Sequence, residues 1–172
     1  MTGRGMKAYS HNSAFPLVTL PRTCRKHRFT LVEIMIVVGI IGLLALLTLP
    51  SFIHARKTAQ NNRFMSDLRT AAGQFEQYAI MEGGWPRDKN PAQIPNGMAD
   101  YLDRFPWTEN TSIGGQWDWD YGVFSVTAGV SVYMPDRTES EMAPIDEKMD
   151  NGDTRSGLFR YRSQGYIYVL EP

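Results

Sequence analysis

Thiols are nearly absent from this chain: Cys24 is the one cysteine in 172 residues. A disulfide framework needs pairs and a thiolate metal site needs several ligands, so neither is available. Histidine is scarce as well. His11 and His27 lie in the first 28 residues, and His54 sits just beyond a long apolar run. No Ser-His-Asp set and no metal-binding His pair can be built in the C-terminal half, and no phosphate-binding loop is present. No enzymatic activity is therefore expected. Acidic residues are missing from residues 1–28, which carry six basic ones (Arg4, Lys7, Arg22, Arg25, Lys26, Arg28). From residue 29 onward there are 12 basic and 18 acidic residues, a net of −6. The formal net charge of zero thus hides a basic leader and an acidic body. The acidic body excludes nucleic-acid binding, which needs clustered Lys and Arg against phosphate.

Polar residues are missing from a third place. Leu31 to Leu49 is a run of 19 residues interrupted only by Glu33 and Thr48. At ~1.5 Å rise per residue it covers roughly 28 Å, the thickness of a bilayer core. A secretory signal has a shorter apolar region and a small-residue cleavage site, and Thr48-Leu49-Pro50-Ser51 is a poor one. With the basic residues on its N-terminal side, the run is expected to leave the N-terminus in the cytoplasm and to translocate the body. Glu33 is the anomaly. An ionised carboxylate near the centre of a membrane helix costs ~2.5 kcal/mol or more. Near the cytoplasmic end it can snorkel; the sharper expectation is a positive partner on another chain.

Beyond Pro50, which lacks an N–H and disturbs the preceding turn, a helical stripe resumes. Phe52, Ala55, Ala59, Phe64, Met65, Leu68, Ala71, Ala72, Phe75, Tyr78 and Ala79 recur near spacings of three and four, ending at Gly83-Gly84. This predicts a helix from Phe29 to Glu82 whose second half packs one face into a core. Pro86, Pro91, Pro95 and Pro106 then enforce loop, with a helical turn or two around Met98–Leu102. Gly114–Trp119 alternates as a strand, Asp120-Tyr121-Gly122 reads as a turn, and Val123–Met134 alternates again with Gly129 as a bulge candidate. Residues 138–150 suggest a short helix with Pro144 near its first turn. Leu158–Arg162 and Tyr166–Leu170 close a hairpin. The predicted fold is α+β: a long N-terminal helix, half transmembrane and half amphipathic, packed on an antiparallel sheet of about four strands. The divisions fall at 1–28 (leader), 29–50 (membrane helix), 51–84 (amphipathic helix) and 85–172 (α+β head).

Phe29-Thr30-Leu31-Val32-Glu33 before an apolar helix resembles the signal of type IV pilins and type II secretion pseudopilins. The resemblance implies cleavage by a prepilin peptidase between Arg28 and Phe29, with N-methylation of Phe29. Arg28 stands where the family carries Gly. It implies that Glu33 meets the N-terminal amine of a neighbouring subunit during assembly. It also makes Gly42 and Pro50 softening and kinking positions of the helix. The implied partners are other pseudopilin subunits, the peptidase and an inner-membrane assembly platform. The implied place is the bacterial inner membrane, single-pass, with a periplasmic head and later a periplasmic filament. A pseudopilin of a type II secretion system is the first expectation. The small head and the missing C-terminal cysteine pair favour it over the alternative, a type IV pilin used for adhesion, motility or DNA uptake. An uncleaved, membrane-anchored binding domain is the third.

Two features of the head bear on ligands. Asp118 with Asp120, and Asp150 with Asp153 around Asn151-Gly152, are oxygen-rich turns able to offer calcium ligands. Neither fits a 12-residue EF-hand loop, and Asp-Asn-Gly turns are common for backbone reasons. Calcium is the one cofactor weighed, and the resemblance favours it because major pseudopilins often hold calcium in C-terminal loops. Trp107, Trp117, Trp119 and Tyr121 form either a core cluster or a carbohydrate- or partner-binding surface.

Overall fold

Thr30 and Gly83 bracket one long helix. The computed structural model describes residues 29–172, without the side chains of residues 47–50. Arg28 lies outside the described residues, and so does the side chain of Pro50. Helix α1 (Leu31–Glu82) is followed by β1 (Gln116–Tyr121), β2 (Ala128–Tyr133), α2 (Glu139–Met149), β3 (Phe159–Arg162) and β4 (Gly165–Glu171). Among the described residues no single helix is long and apolar enough to cross a membrane; Leu31–Leu46 and Ser51–Glu82 taken together are, by length and composition. The described chain falls into two compact units, one ending at Leu43 and one running from Leu44 to Pro172. Residues 31–46 of α1 are exposed all round in the isolated chain.

α1 ends where the sequence places its end. Gly83 adopts φ 77°, the left-handed conformation that terminates helices, and its N–H donates to the Ala79 carbonyl at 3.0 Å. A methyl group there would meet nothing within 4 Å, so the glycine is required by its backbone angle and not by crowding. Gly83→Ala is therefore expected to cost about 1 kcal/mol. The check is the urea midpoint of the detergent-solubilised chain; an unchanged midpoint would mean that contacts beyond the helix hold this end.

The sheet is wholly antiparallel, in the order β1-β2-β4-β3. One face packs on α1. Phe64, Leu68, Ala71 and Phe75, spaced four, three and four apart, are fully buried. Phe75 stacks on Trp119 with ring centres 3.9 Å apart, and Phe64 stacks on Trp117 at 5.5 Å. The indole N–H of Trp107 donates to the Gln93 carbonyl at 2.9 Å, and that of Trp119 to the Pro86 carbonyl at 3.0 Å. All three indoles are buried in the core, so Trp107, Trp117 and Trp119 form no ligand-binding surface; Tyr121, at the strand end, is exposed. The N-terminal part of the helical stripe departs from expectation. Phe52, Ala55 and Ala59 are exposed, because α1 meets the sheet and loops only from about Gln60 onward.

Several boundaries shift. β1 continues through Asp120 and Tyr121, which the sequence reading assigns to a turn, because Asp120 pairs with Gly129 and Tyr121 with Ala128. β2 starts only at Ala128. Residues 123–127, read as strand, instead form a strap in which Phe124 and Ser125 take φ 52° and 59°. The register shift expected at Gly129 is present between Ala128 and Gly129. Pro144 sits at the start of the second turn of α2, next to the first. Glu141 reaches back to accept from the Thr138 N–H at 3.0 Å, and it also meets Lys57 of α1 at 2.5 Å.

Candidate assembly site

The first turn of α1 is organised by Thr30, Glu33 and Ile34. Thr30 precedes the helix and its carbonyl accepts from the Ile34 N–H at 3.3 Å. The Thr30 hydroxyl accepts from the Glu33 N–H at 3.2 Å. In return, Glu33 Oε2 accepts from the Thr30 N–H at 2.8 Å and from the Thr30 hydroxyl at 2.9 Å. This is a reciprocal capping box, Thr-x-x-Glu, in which each side chain satisfies a main-chain donor the helix leaves free. Such caps stabilise a helix start by about 0.5–2 kcal/mol, and the carboxylate also lies at the positive end of the helix dipole. Glu33 is thus less anomalous than an isolated charge in an apolar run: it has a local use. Its hydrogen bonds run through Oε2; among the described residues Oε1 has none and is left for a second partner.

The head carries a second polar centre, one the sequence reading did not find. On the sheet face away from α1, Asp118 and Asp120 of β1, Ser131 of β2 and Arg162 at the end of β3 are buried, with exposures of 5, 3, 0 and 6 %. Arg162 Nη2 donates to Asp118 Oδ2 at 2.5 Å and to the Ser131 hydroxyl at 2.8 Å; its Nε donates to the same hydroxyl at 3.0 Å. Asp120 Oδ2 lies 3.2 Å from Nε, within ion-pair reach but off the hydrogen-bond direction. The guanidinium is held between aromatic faces, its central carbon 4.8 Å from the Phe124 ring centre and 5.7 Å from that of Tyr133. Burial, then the neighbouring charge of Asp120, push the Asp118 carboxyl up to about 7, against the opposing pull of Arg162. Burial likewise raises Asp120.

The calcium candidates are not brought together. Among the described residues no three His, Cys, Asp or Glu side chains stand close enough to hold an ion. Asp118 is engaged by Arg162. Asp150 Oδ2 accepts from the Leu158 N–H at 2.5 Å, and Asp153 accepts from the Arg155 N–H at 3.1 Å and the Ser156 hydroxyl at 2.9 Å. The acidic turn thus spends these oxygens on its own loop. Beside it, Asp146 of α2 is fully buried, and burial, then the charge of Asp150, raise its pKa against the opposing pull of the Gly152 N–H.

With the start of α1 and the antiparallel head in place, relatives become informative. The chain is 32% identical over 69 residues to type II secretion system core protein G of Klebsiella pneumoniae, covering 40% of this chain and 49% of that protein. It is 30% identical over 77 residues to the type IV major pilin protein PilE1 of Neisseria gonorrhoeae, 45% of this chain and 36% of that one. A third relative, core protein G of Dickeya chrysanthemi, matches at 32% over 62 residues, 36% and 40% of the two chains. The chain is similar to pilin-like proteins of both kinds, secretion pseudopilin and type IV pilin. This pilin-like chain spans about half or less of the length of the curated relatives it matches. No family model matches it, and no solved structure does.

Proposed function

We propose that this pilin-like chain is a structural subunit, a pseudopilin, that assembles into a periplasmic filament of a type II secretion system. The observation that carries the reading is the Thr30–Glu33 capping box. It holds a carboxylate at the start of an apolar helix with one oxygen engaged and, among the described residues, the other open. Cleavage between Arg28 and Phe29 places a new ammonium within four residues of Glu33, on this chain and on every neighbour. In a bilayer or a helical bundle that carboxylate gains most from a cationic partner, because the surroundings are otherwise apolar. The subunit is anchored in the inner membrane by residues 29–50, N-terminus inside, and Gly42 and Pro50 give that helix room to adjust on leaving the bilayer. The small head and its lack of a cysteine pair favour the secretion filament over an adhesive pilus. Prepilin peptidase, other pseudopilins and the assembly platform are the partners this reading requires.

Intact-mass and N-terminal analysis of the membrane-extracted chain test it. A mature protein beginning at N-methylated Phe29 is expected. A retained leader would overturn the reading and leave an anchored binding domain, with Arg28 as the block to cleavage.

A further inference from the structure

The polar centre of the head opens onto a cavity of about 470 Å³, lined by Asp118, Asp120 and Arg162 from the sheet and by Asp88 and Lys89 from the loop after α1. Phe124 of the strap and Tyr133 of β2 complete its wall. With every carboxyl ionised, three carboxylates face two cations, and the lining then carries one uncompensated negative charge. Asp118 Oδ1 is covered and, among the described residues, has no hydrogen-bond partner. A buried acceptor beside a cavity rich in carboxylates lacks a donor, and a cationic donor suits it best.

We propose that this cavity binds a primary ammonium group, whose N–H donors satisfy Asp118 Oδ1 and whose charge balances the lining. A divalent metal does not fit, because Arg162 already stands at 2.5 Å from the other oxygen of Asp118 and no third ligand converges there. A second guanidinium does not fit either, since Arg162 fills the slot between Phe124 and Tyr133. An ammonium on an alkyl stem uses both kinds of wall: its head meets the carboxylate, and its methylenes lie along Pro91, Val123 and Phe124. The strap has to shift for the ammonium to reach Oδ1. Phe124 is half exposed, and it and Ser125 both hold left-handed backbone angles. The groups facing Asp118 are Asp120 on its own strand, Ser131 and Tyr133 on β2, Arg162 on β3, and Asp88 and Lys89 on the loop.

The test is an NMR titration of the full chain in detergent micelles with n-butylammonium chloride, against sodium chloride at equal ionic strength. Saturable shifts are expected at Asp118, Arg162 and the 122–127 strap, with a midpoint in the millimolar range, for the amine and not for sodium. Because Asp118 protonates near 7, the midpoint should weaken about tenfold per pH unit below that value and level off above it. Asp118→Asn should abolish the shifts, and Glu109→Gln, an exposed carboxylate elsewhere, should leave them. A parallel titration with an acetylated, amidated Gly-Lys-Gly peptide separates the sources: binding of the peptide assigns the cavity to a protein lysine, and binding of the free amine alone assigns it to a small amine. Binding of neither, or shifts that survive Asp118→Asn, or a midpoint independent of pH, overturns the proposal.

Discussion

A Glu33→Ala chain is expected to insert in the membrane normally and to be absent from filaments. Removing a carboxylate from an apolar run lowers the cost of insertion, so the anchor should be unaffected or improved. Assembly is another matter. If Glu33 meets a neighbour's N-terminal ammonium in a dry helical bundle, its loss strands that ammonium. Breaking one side of such a pair costs about 3–5 kcal/mol, a hundredfold or more for each subunit added. The capping box complicates this reading, because alanine also removes a helix cap worth about 1 kcal/mol. Glu33→Gln separates the two. Glutamine at this position keeps a capping box with Thr30 but carries no charge. Both variants should fail to assemble if the charge is what matters. Filaments containing the glutamine variant at wild-type levels would reduce Glu33 to a helix cap and end the assembly mechanism proposed for it. The measurement is the shearable or cross-linked filament fraction set against the membrane-bound pool.

How much of this was readable beforehand depends on sequence distance. The end of α1 at Gly83 and the stripe Phe64, Leu68, Phe75 are local signals, and they hold. The Thr-x-x-Glu box at 30–33 is equally local and recurs at 138–141, yet the apolar run around Glu33 draws attention to cost and away from capping. The buried centre was not legible. Asp118 and Asp120 alternate with Trp117 and Trp119, which correctly sets the indoles on the core face and the carboxylates on the other. Nothing local says that the second face is covered. It is covered because residues 123–127 leave the strand pattern to form a strap, and because Arg162 arrives from 44 residues away. The same holds for Asp146, which sits in a charged stretch but is buried on the side of α2 that carries Met142 and Ile145.

Replacing Arg162 by methionine should destabilise the head steeply, and far more at pH 8 than at pH 5. Arg162 is the cation that meets both Asp118 and Asp120, and all three side chains are almost wholly buried. In the native head the folded-state pKa of Asp118 is about 7, above the ordinary value of 3.8. A raised carboxyl favours the folded state below the unfolded pKa and loses that advantage as pH rises through the folded one. The native head should therefore lose stability between pH 4 and 7, by an amount on the order of 4 kcal/mol. Without Arg162 both carboxyls shift further up. At pH 5 they can take protons, and the variant retains most of its stability. At pH 8 the second charge has no counter-ion, and the expected loss is about 3–5 kcal/mol, a drop in melting temperature of roughly 15–30 °C. A buried ion pair is not in itself strongly stabilising, so the triple variant Asp118→Asn, Asp120→Asn, Arg162→Met should recover much of the loss. Circular-dichroism melts of the three chains at both pH values decide the matter. An Arg162→Met head that melts within about 3 °C of the native one at pH 8 would mean that the two carboxylates are not charged together in the fold, and that the strap over them is held by Phe124 and Val126 alone.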